Sequence, residues 1–237
     1  MAEGGGYDEV THNSANPIFR FSHRQRLSLA ARIIAPQPGE AILDFGGGDG
    51  FVVSGLAAKS PDTHYTILEP YLVPQLAMAL NSSSIRWVKE VSDLPEARFD
   101  KIICLEVLEH LSESSLEAAL PLFRDRLKTG GLCILSMPLE VGPPALFKNA
   151  IRLAAGRLHD NTTFRRVIQS VFFDTREIPR PTSNGFVPGH IGFDAFAMLS
   201  RIERETGFRV EKRMTSPFSV LPWFLNSQVY FVLRATN

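Results

Sequence analysis

The chain has 237 residues and carries 25 Lys and Arg against 25 Asp and Glu, a formal net charge of zero. With 44% hydrophobic and 21% charged residues it can bury a proper core, which excludes disordered and repetitive classes. Neutrality argues against a dedicated nucleic-acid binder, which needs a marked basic excess to displace counterions, but it leaves room for a local basic face.

Residues 1–16 are rich in Gly, Asn and Ser. From Pro17 onward Ile18, Phe19, Phe21, Leu27, Leu29, Ala30 and Ile33 recur at helical spacing, up to the breaker Pro36-Gln-Pro-Gly39. Short strand-like runs then alternate with helical ones. Ala41–Phe45 is a predicted strand, residues 46–50 a glycine turn, and Phe51–Lys59 a helix. His64–Glu69 is a second strand, followed by a helix over Leu72–Leu80. Ile85–Lys89 and Phe99–Leu105 are the third and fourth strands. A helix over Ser112–Lys128 is expected to close at Gly130-Gly131, and Leu132–Met137 is the fifth strand. Apolar strands separated by helices imply a parallel sheet covered on both faces, so the fold class is α/β, doubly wound.

The alternation breaks at residues 138–190, which read as an insertion or lid. It resumes with a helix over Asp194–Thr206, capped by Gly207. The closing strands, Phe208–Met214 and Gln228–Leu233, suggest a hairpin that sets an antiparallel strand on the sheet edge. The expected organisation is one domain: a helical cap over 1–38, a core over 39–138, an insertion over 139–190, and the rest of the sheet over 191–237. Cys104 and Cys133 fall inside strands and read as buried thiols of a reducing cytosol. No basic-then-apolar leader is read in Met1-Ala-Glu-Gly-Gly-Gly, and no window holds the roughly 18 apolar residues of a membrane span. The expected location is cytoplasmic.

The strongest chemical signal is Leu43-Asp44-Phe45-Gly46-Gly47-Gly48-Asp49-Gly50. A strand ending in an acid and entering a glycine turn that opens a helix is a nucleotide-binding device. The dinucleotide fingerprint needs a third glycine where Phe51 stands, and no Walker lysine follows the turn. The spacing disfavours NAD and ATP.

The pattern resembles motif I of the class I S-adenosylmethionine-dependent methyltransferases, and further segments fall in family order. The resemblance implies S-adenosyl-L-methionine as cofactor, held by Asp44, Phe45, Gly46, Gly47, Gly48 and Gly50. In Thr66-Ile-Leu-Glu69-Pro70-Tyr71 it makes Glu69 the partner of the ribose hydroxyls, with Pro70 beside it. Glu90 and Val91 stand where the family contacts adenine, with Glu90 in place of the usual Asp. Leu105 and Glu106 stand where the fourth-strand motif lies beside the methionine part. Residues 127–138 resemble the fifth-strand motif, and 189–208 the returning helix and sixth strand.

Methyl transfer asks mainly for alignment of the acceptor and exclusion of water, while a hydroxyl acceptor also needs a base or a metal. Glu106-x-x-Glu109-His110 supplies candidates, since positions i, i+3 and i+4 share a helical face. The candidate catalytic residues are His110, Glu106 and His190. The cluster resembles the metal-binding Glu-x-x-Glu-His of ubiquinone-pathway and small-RNA methyltransferases, with His190 as a further ligand. The same residues also occur in the superfamily without metal, so a divalent metal is the lesser alternative here and the reading assigns no metal ligand.

Arg24 and Arg26 on the first helix read either as an anion clamp or as a solvated face, with only one pointing inward. Pro144–His159 alternates apolar and basic positions, as a lid helix does, with weak peripheral membrane contact as the alternative. The expected activity is methyl transfer to an oxygen of a small-molecule or glycan/lipid-intermediate acceptor, with no nucleic-acid partner. No Asn/Asp-Pro-Pro-Tyr/Phe motif follows the fourth strand, which disfavours amino-group methylation of nucleobases and glutamine. A nicotinamide oxidoreductase and a non-catalytic partner protein are the rival classes.

Overall fold

The computed structural model describes residues 17–71, 83–154, 163–183 and 185–236. The chain divides after Pro95 into two compact units. In the first, α1 (Pro17–Ile34) buries Leu29, Ala30 and Ile34, a spacing that presents one face of the helix inward. The strands β1 (Ala41–Phe45), β2 (His64–Leu68) and β3 (Ile85–Val88) pair in parallel, Ala41 opposite His64 and Tyr65 opposite Ile85. Helix α2 (Phe51–Ala57) follows the glycine turn. The helix expected over Leu72–Leu80 lies outside the described residues.

The second unit holds β4 (Phe99–Leu105), α3 (Glu113–Arg126) and β5 (Leu127–Pro138). It continues with α4 (Pro143–Ala154), α5 (Phe164–Val171), α6 (Ala195–Thr206), β6 (Arg209–Ser216) and β7 (Gln228–Arg234). The seven strands order as β3-β2-β1-β4-β5-β7-β6, parallel except for β7, and this is the doubly wound α/β sheet expected. Helix ends follow their caps. The Ser112 hydroxyl accepts the Ser115 N–H ahead of α3, and Asp194 Oδ1 accepts two N–H groups ahead of α6. Gly207, at φ 76°, closes α6 as expected. Cys104 and Cys133 are both free and fully buried on neighbouring strands, and burial pushes the Cys133 thiol up.

Three expectations are corrected. First, α3 does not run on to a glycine cap: it stops at Arg126 and Leu127 is already extended, paired with Phe99. Burying the Leu127–Phe99 pair outweighs a further helical turn that would expose Leu127. The glycines serve the strand instead. Gly130, at φ 75°, donates its N–H to the Ala235 carbonyl, and a Cβ on Gly131 would lie 2.8 Å from the Lys128 carbonyl oxygen and 2.9 Å from that of Asp100.

Second, the antiparallel strand is not at the edge. β7 (QVYFVLR) is buried along all but its last residue and lies between β5 and β6, while the charged β6 (RVEKRMTS) forms the edge. An apolar run buried on both faces belongs inside a sheet, and charges protect an edge from further pairing. Third, the insertion contains a second helix, α5, that no turn signal announced. Its start is set by Thr163, whose hydroxyl accepts the Arg166 N–H.

Gly131→Ala is expected to destabilise the chain by about 2 kcal/mol, since the two nearest atoms its Cβ meets are backbone. Gly130→Ala, which meets open space, should lose only about 1 kcal/mol for its positive φ. Urea unfolding of the two variants measures the difference, and equal losses would contradict this account of the β5 glycines.

Candidate functional site

In the first unit, β1 delivers Asp44 to the sheet's end and the chain then turns through Gly46, Gly48 and Gly50, at φ 72°, 57° and 73°. These positive angles explain why glycine stands at alternate positions. Gly47 is required by space: a Cβ there would lie 2.6 Å from Asp44 Oδ2 and 2.7 Å from Ile67 Cγ2. A Cβ at Gly50 would lie 2.6 Å from the Trp87 ring. The backbone is therefore pressed onto β2 and β3 residues, leaving its outer side open to a ligand.

Glu69, one residue beyond β2, ties this turn down. Its Oε2 accepts the Gly48 N–H at 3.1 Å and its Oε1 accepts the Tyr71 N–H at 3.0 Å. Asp44 is buried, and burial, then the charges of Glu69 and Asp49, raise its carboxyl from 3.8 to about 7. Phe45, Gly46 and Gly47 are half-buried, and Pro70 is exposed. Glu90 and Val91 are exposed at the start of a short 3-10 turn, Val91–Asp93. Trp87, which sequence reasoning passed over, packs on the turn with a buried indole N–H that has no hydrogen-bond partner. A strand-end tryptophan three residues before Glu90 was the available signal.

In the second unit, β4 ends at Leu105 and the chain turns sharply at Glu106, a non-glycine residue at φ 59° whose N–H donates to the Ser136 carbonyl. A left-handed conformation at such a residue is strain that the surrounding structure must hold in place. The shared helical face expected for Glu106, Glu109 and His110 does not form: Glu106 precedes a single 3-10 turn, Leu108–His110. The buried Leu108 anchors this tight turn.

The structure brings together Glu109, His110 and His190, whose ligand-type atoms all lie within 4.8 Å of one another, and Glu106 is not in that set. Glu109 is fully buried and neither carboxylate oxygen has a hydrogen-bond partner. Burial first, then the Glu106 charge, hold its carboxyl well above the usual range, against the opposing pull of Arg180 and Lys148. Arg180 donates to the Glu109 carbonyl and lies 5.1 Å over the Phe193 ring. His110 stacks on Phe186 at 4.6 Å and meets His190 edge-on at 4.8 Å.

His110 Nδ1 lies 2.8 Å from the Val187 carbonyl oxygen. A carbonyl only accepts, so Nδ1 carries the hydrogen and the neutral ring leaves Nε2 as an acceptor. Such a nitrogen serves as a base or as a metal ligand. Arg180, Phe186 and Val187 come from the insertion, where no periodicity marked them. On α1, Arg24 is exposed and Arg26 half-buried, so one of the pair faces inward as expected.

Residues 19–212 match the family described as a methyltransferase domain. A ubiquinone biosynthesis O-methyltransferase of Alkalilimnicola ehrlichii is 31% identical over 119 residues, which is 47% of each chain. The match thus spans about half the length of that relative. The N-methyltransferase NodS from Bradyrhizobium japonicum WM9, solved with S-adenosyl-L-homocysteine, shares the fold at a TM-score of 0.56 and 14% identity, over 95% of this chain and 91% of that one. Magnesium protoporphyrin IX methyltransferase from Synechocystis PCC 6803 does so at 0.56 and 15%, over 93% and 89%.

Because the Asp44 carboxyl is raised on folding, the folded chain holds a proton there that the unfolded chain releases. The associated stability is present below the unfolded value of 3.8 and is lost as pH rises through about 7. Its size is on the order of 4 kcal/mol. Asp44→Asn cannot ionise, so thermal melts should show it more stable than wild type at alkaline pH, the two converging in acid. A gap independent of pH would refute the burial account of Asp44.

Proposed function

The chain belongs to the methyltransferase-domain family and has the class I S-adenosylmethionine-dependent fold; on that premise we propose that it transfers a methyl group to an oxygen of a small-molecule or glycan/lipid-intermediate acceptor. The observation that carries cofactor use is the turn at residues 46–50: its backbone is pressed onto Asp44, Ile67 and Trp87, and Glu69 is fixed alongside it. Such a cradle fits a nucleoside and lacks the third fingerprint glycine of a nicotinamide site.

When bound, S-adenosylmethionine supplies a methyl group already activated on a sulfonium. The protein's part is to hold and orient. Phe45 and the turn at Gly46, Gly47, Gly48 and Gly50 accept the nucleoside's approach, and Glu69, with Pro70 beside it, takes the ribose hydroxyls. Asp44 sets the shape of the turn beneath, and Glu90 and Val91 are assigned to the base through the family resemblance. Leu105 and Glu106 are assigned to the methionine part through the family resemblance.

For the acceptor, His110 is the proposed base. In the neutral ring the Nδ1–H bond to the Val187 carbonyl leaves Nε2 as the free acceptor, so it can take the hydroxyl proton as the oxygen attacks. His190, in edge contact with that ring, helps to orient it. A hydroxyl rather than an amine is favoured by this prepared base and by the O-methyltransferase that the chain resembles along 47% of its length.

A second reading has its own observation. The two partnerless oxygens of Glu109 beside His110 and His190 form a donor set suited to a divalent cation, which would lower the acceptor's pKa directly. Elemental analysis of the purified chain and activity after chelation decide between the two. Stoichiometric metal with chelator-sensitive turnover favours the ion, and metal-free turnover favours His110 alone.

Calorimetry should show binding of S-adenosylhomocysteine and none of NAD. Glu69→Ala, which removes a charged acceptor, should weaken that binding by about 10- to 100-fold. Tight NAD binding with no response to S-adenosylhomocysteine would overturn the proposal. His110→Asn should lower kcat by about 100-fold or more while S-adenosylhomocysteine affinity changes little. A matching loss in both would make the residue structural.

A further inference from the structure

Ten of the thirteen exposed large apolar side chains among the described residues lie on two stretches of the second unit, 146–186 and 218–225. They protrude: Val220 is 92% exposed, Phe164 83% and Phe172 75%. The two stretches are neighbours. Helix α4 packs on both α5 and the turn Trp223–Leu225, and the Phe173 and Trp223 rings meet edge-on at 6.2 Å. Gly142 lies under this contact, where a Cβ would come within 3.0 Å of both rings. Exposed apolar residues scattered singly need no explanation, but a contiguous set of aromatics marks an interaction surface.

The charge beside the aromatics is basic in excess, Arg165, Arg166 and Arg176 standing against Asp174 and Glu177. Residues 216–227 carry no charged side chain, and α5 carries Arg165 and Arg166 directly after Phe164 with no acid. Thr163, Arg165, Arg166, Gln169, Glu177 and Pro179 line an open cavity of about 310 Å³ in which two cations outnumber one acid. Between residues 139 and 181 seven Lys or Arg face four Asp or Glu. Among the described residues no helix is long and apolar enough to cross a membrane, so contact with a bilayer here is peripheral.

We propose that this face docks on an anionic lipid surface. Phe164, Phe172 and Val220 enter the boundary between headgroups and acyl chains, while Arg165 and Arg166 meet lipid phosphates. Neighbouring apolar side chains that protrude from helix ends and loops suit insertion into a deformable interface, and the Arg165–Arg166 pair beside them supplies the complement to lipid charge. The inserting residues Phe164, Phe172 and Val220 and the arginines 165 and 166 are not members of the Glu109–His110–His190 cluster, so the proposal stands whichever atom is methylated.

The test is co-sedimentation of the full chain with vesicles of phosphatidylcholine alone and of phosphatidylcholine with one quarter phosphatidylglycerol, at physiological and high salt. The chain should bind the anionic vesicles, release them at high salt, and show a blue-shifted Trp223 emission when bound. The triple variant Phe164→Ser, Phe172→Ser, Val220→Ser should reduce partitioning by about tenfold or more. All three side chains are exposed, so its melting temperature should be unchanged. The double variant Arg165→Glu, Arg166→Glu keeps the aromatics and should lose the preference for phosphatidylglycerol. Failure of wild type to sediment with the anionic vesicles overturns the proposal, as does binding that neither variant alters. A concentration-dependent dimer abolished by the triple variant, without vesicle binding, overturns it in favour of a second copy of the chain.

Discussion

A carboxyl group held out of water lies beneath the glycine turn, and the turn is shaped around it. Asp44, one residue before the end of β1, is buried with two further acids, Glu69 and Asp49, acting on it. An isolated charge in such a position is held at a cost that proteins meet by hydrogen bonding or by taking up a proton. The local architecture follows from this. Gly47 is bare because Asp44 occupies the space where its Cβ would be, and Glu69 is drawn to the amide of Gly48. A chain that optimised this segment for stability alone would replace Asp44, and with it would lose the polar floor of the turn. Stability is conceded where a ligand is to be held.

The second unit shows the same trade in another form. Glu109 lies fully buried with both oxygens partnerless, and Glu106 just before it occupies a backbone conformation that glycine would adopt more readily. Each feature alone is costly, and they occur three residues apart, beside two histidines, a concentration of strain and buried charge that supports the functional reading proposed for the end of β4.

The glycine turn was legible in the sequence because left-handed backbone selects glycine and leaves its signature at positions 46, 48 and 50. The first five strands were legible because buried parallel strands read as apolar runs. The placement of β7 inside the sheet was not, since periodicity encodes which residues are buried but not which strand lies beside which. The histidine cluster was half legible. The Glu-x-x-Glu-His spacing named Glu109 and His110 together with Glu106, but a helical face was expected where Glu106 turns left-handed, so Glu106 falls outside the set that Glu109 and His110 form with His190. Arg180 and Phe186 were invisible because they sit in loops of the insertion, whose residues carry no repeating pattern. Their meaning exists only after the chain has returned to His110.

That return has a consequence for timing. The hydrogen bond from His110 Nδ1 to the Val187 carbonyl is made by the insertion, seventy-seven residues along the chain. It decides which ring nitrogen bears the proton. Were residues around Val187 to move away, the ring would be free to rotate and to exchange tautomers. The folding of the insertion and the orientation of the His110 ring are therefore one equilibrium. Anything that orders this segment would fix the histidine by the same motion.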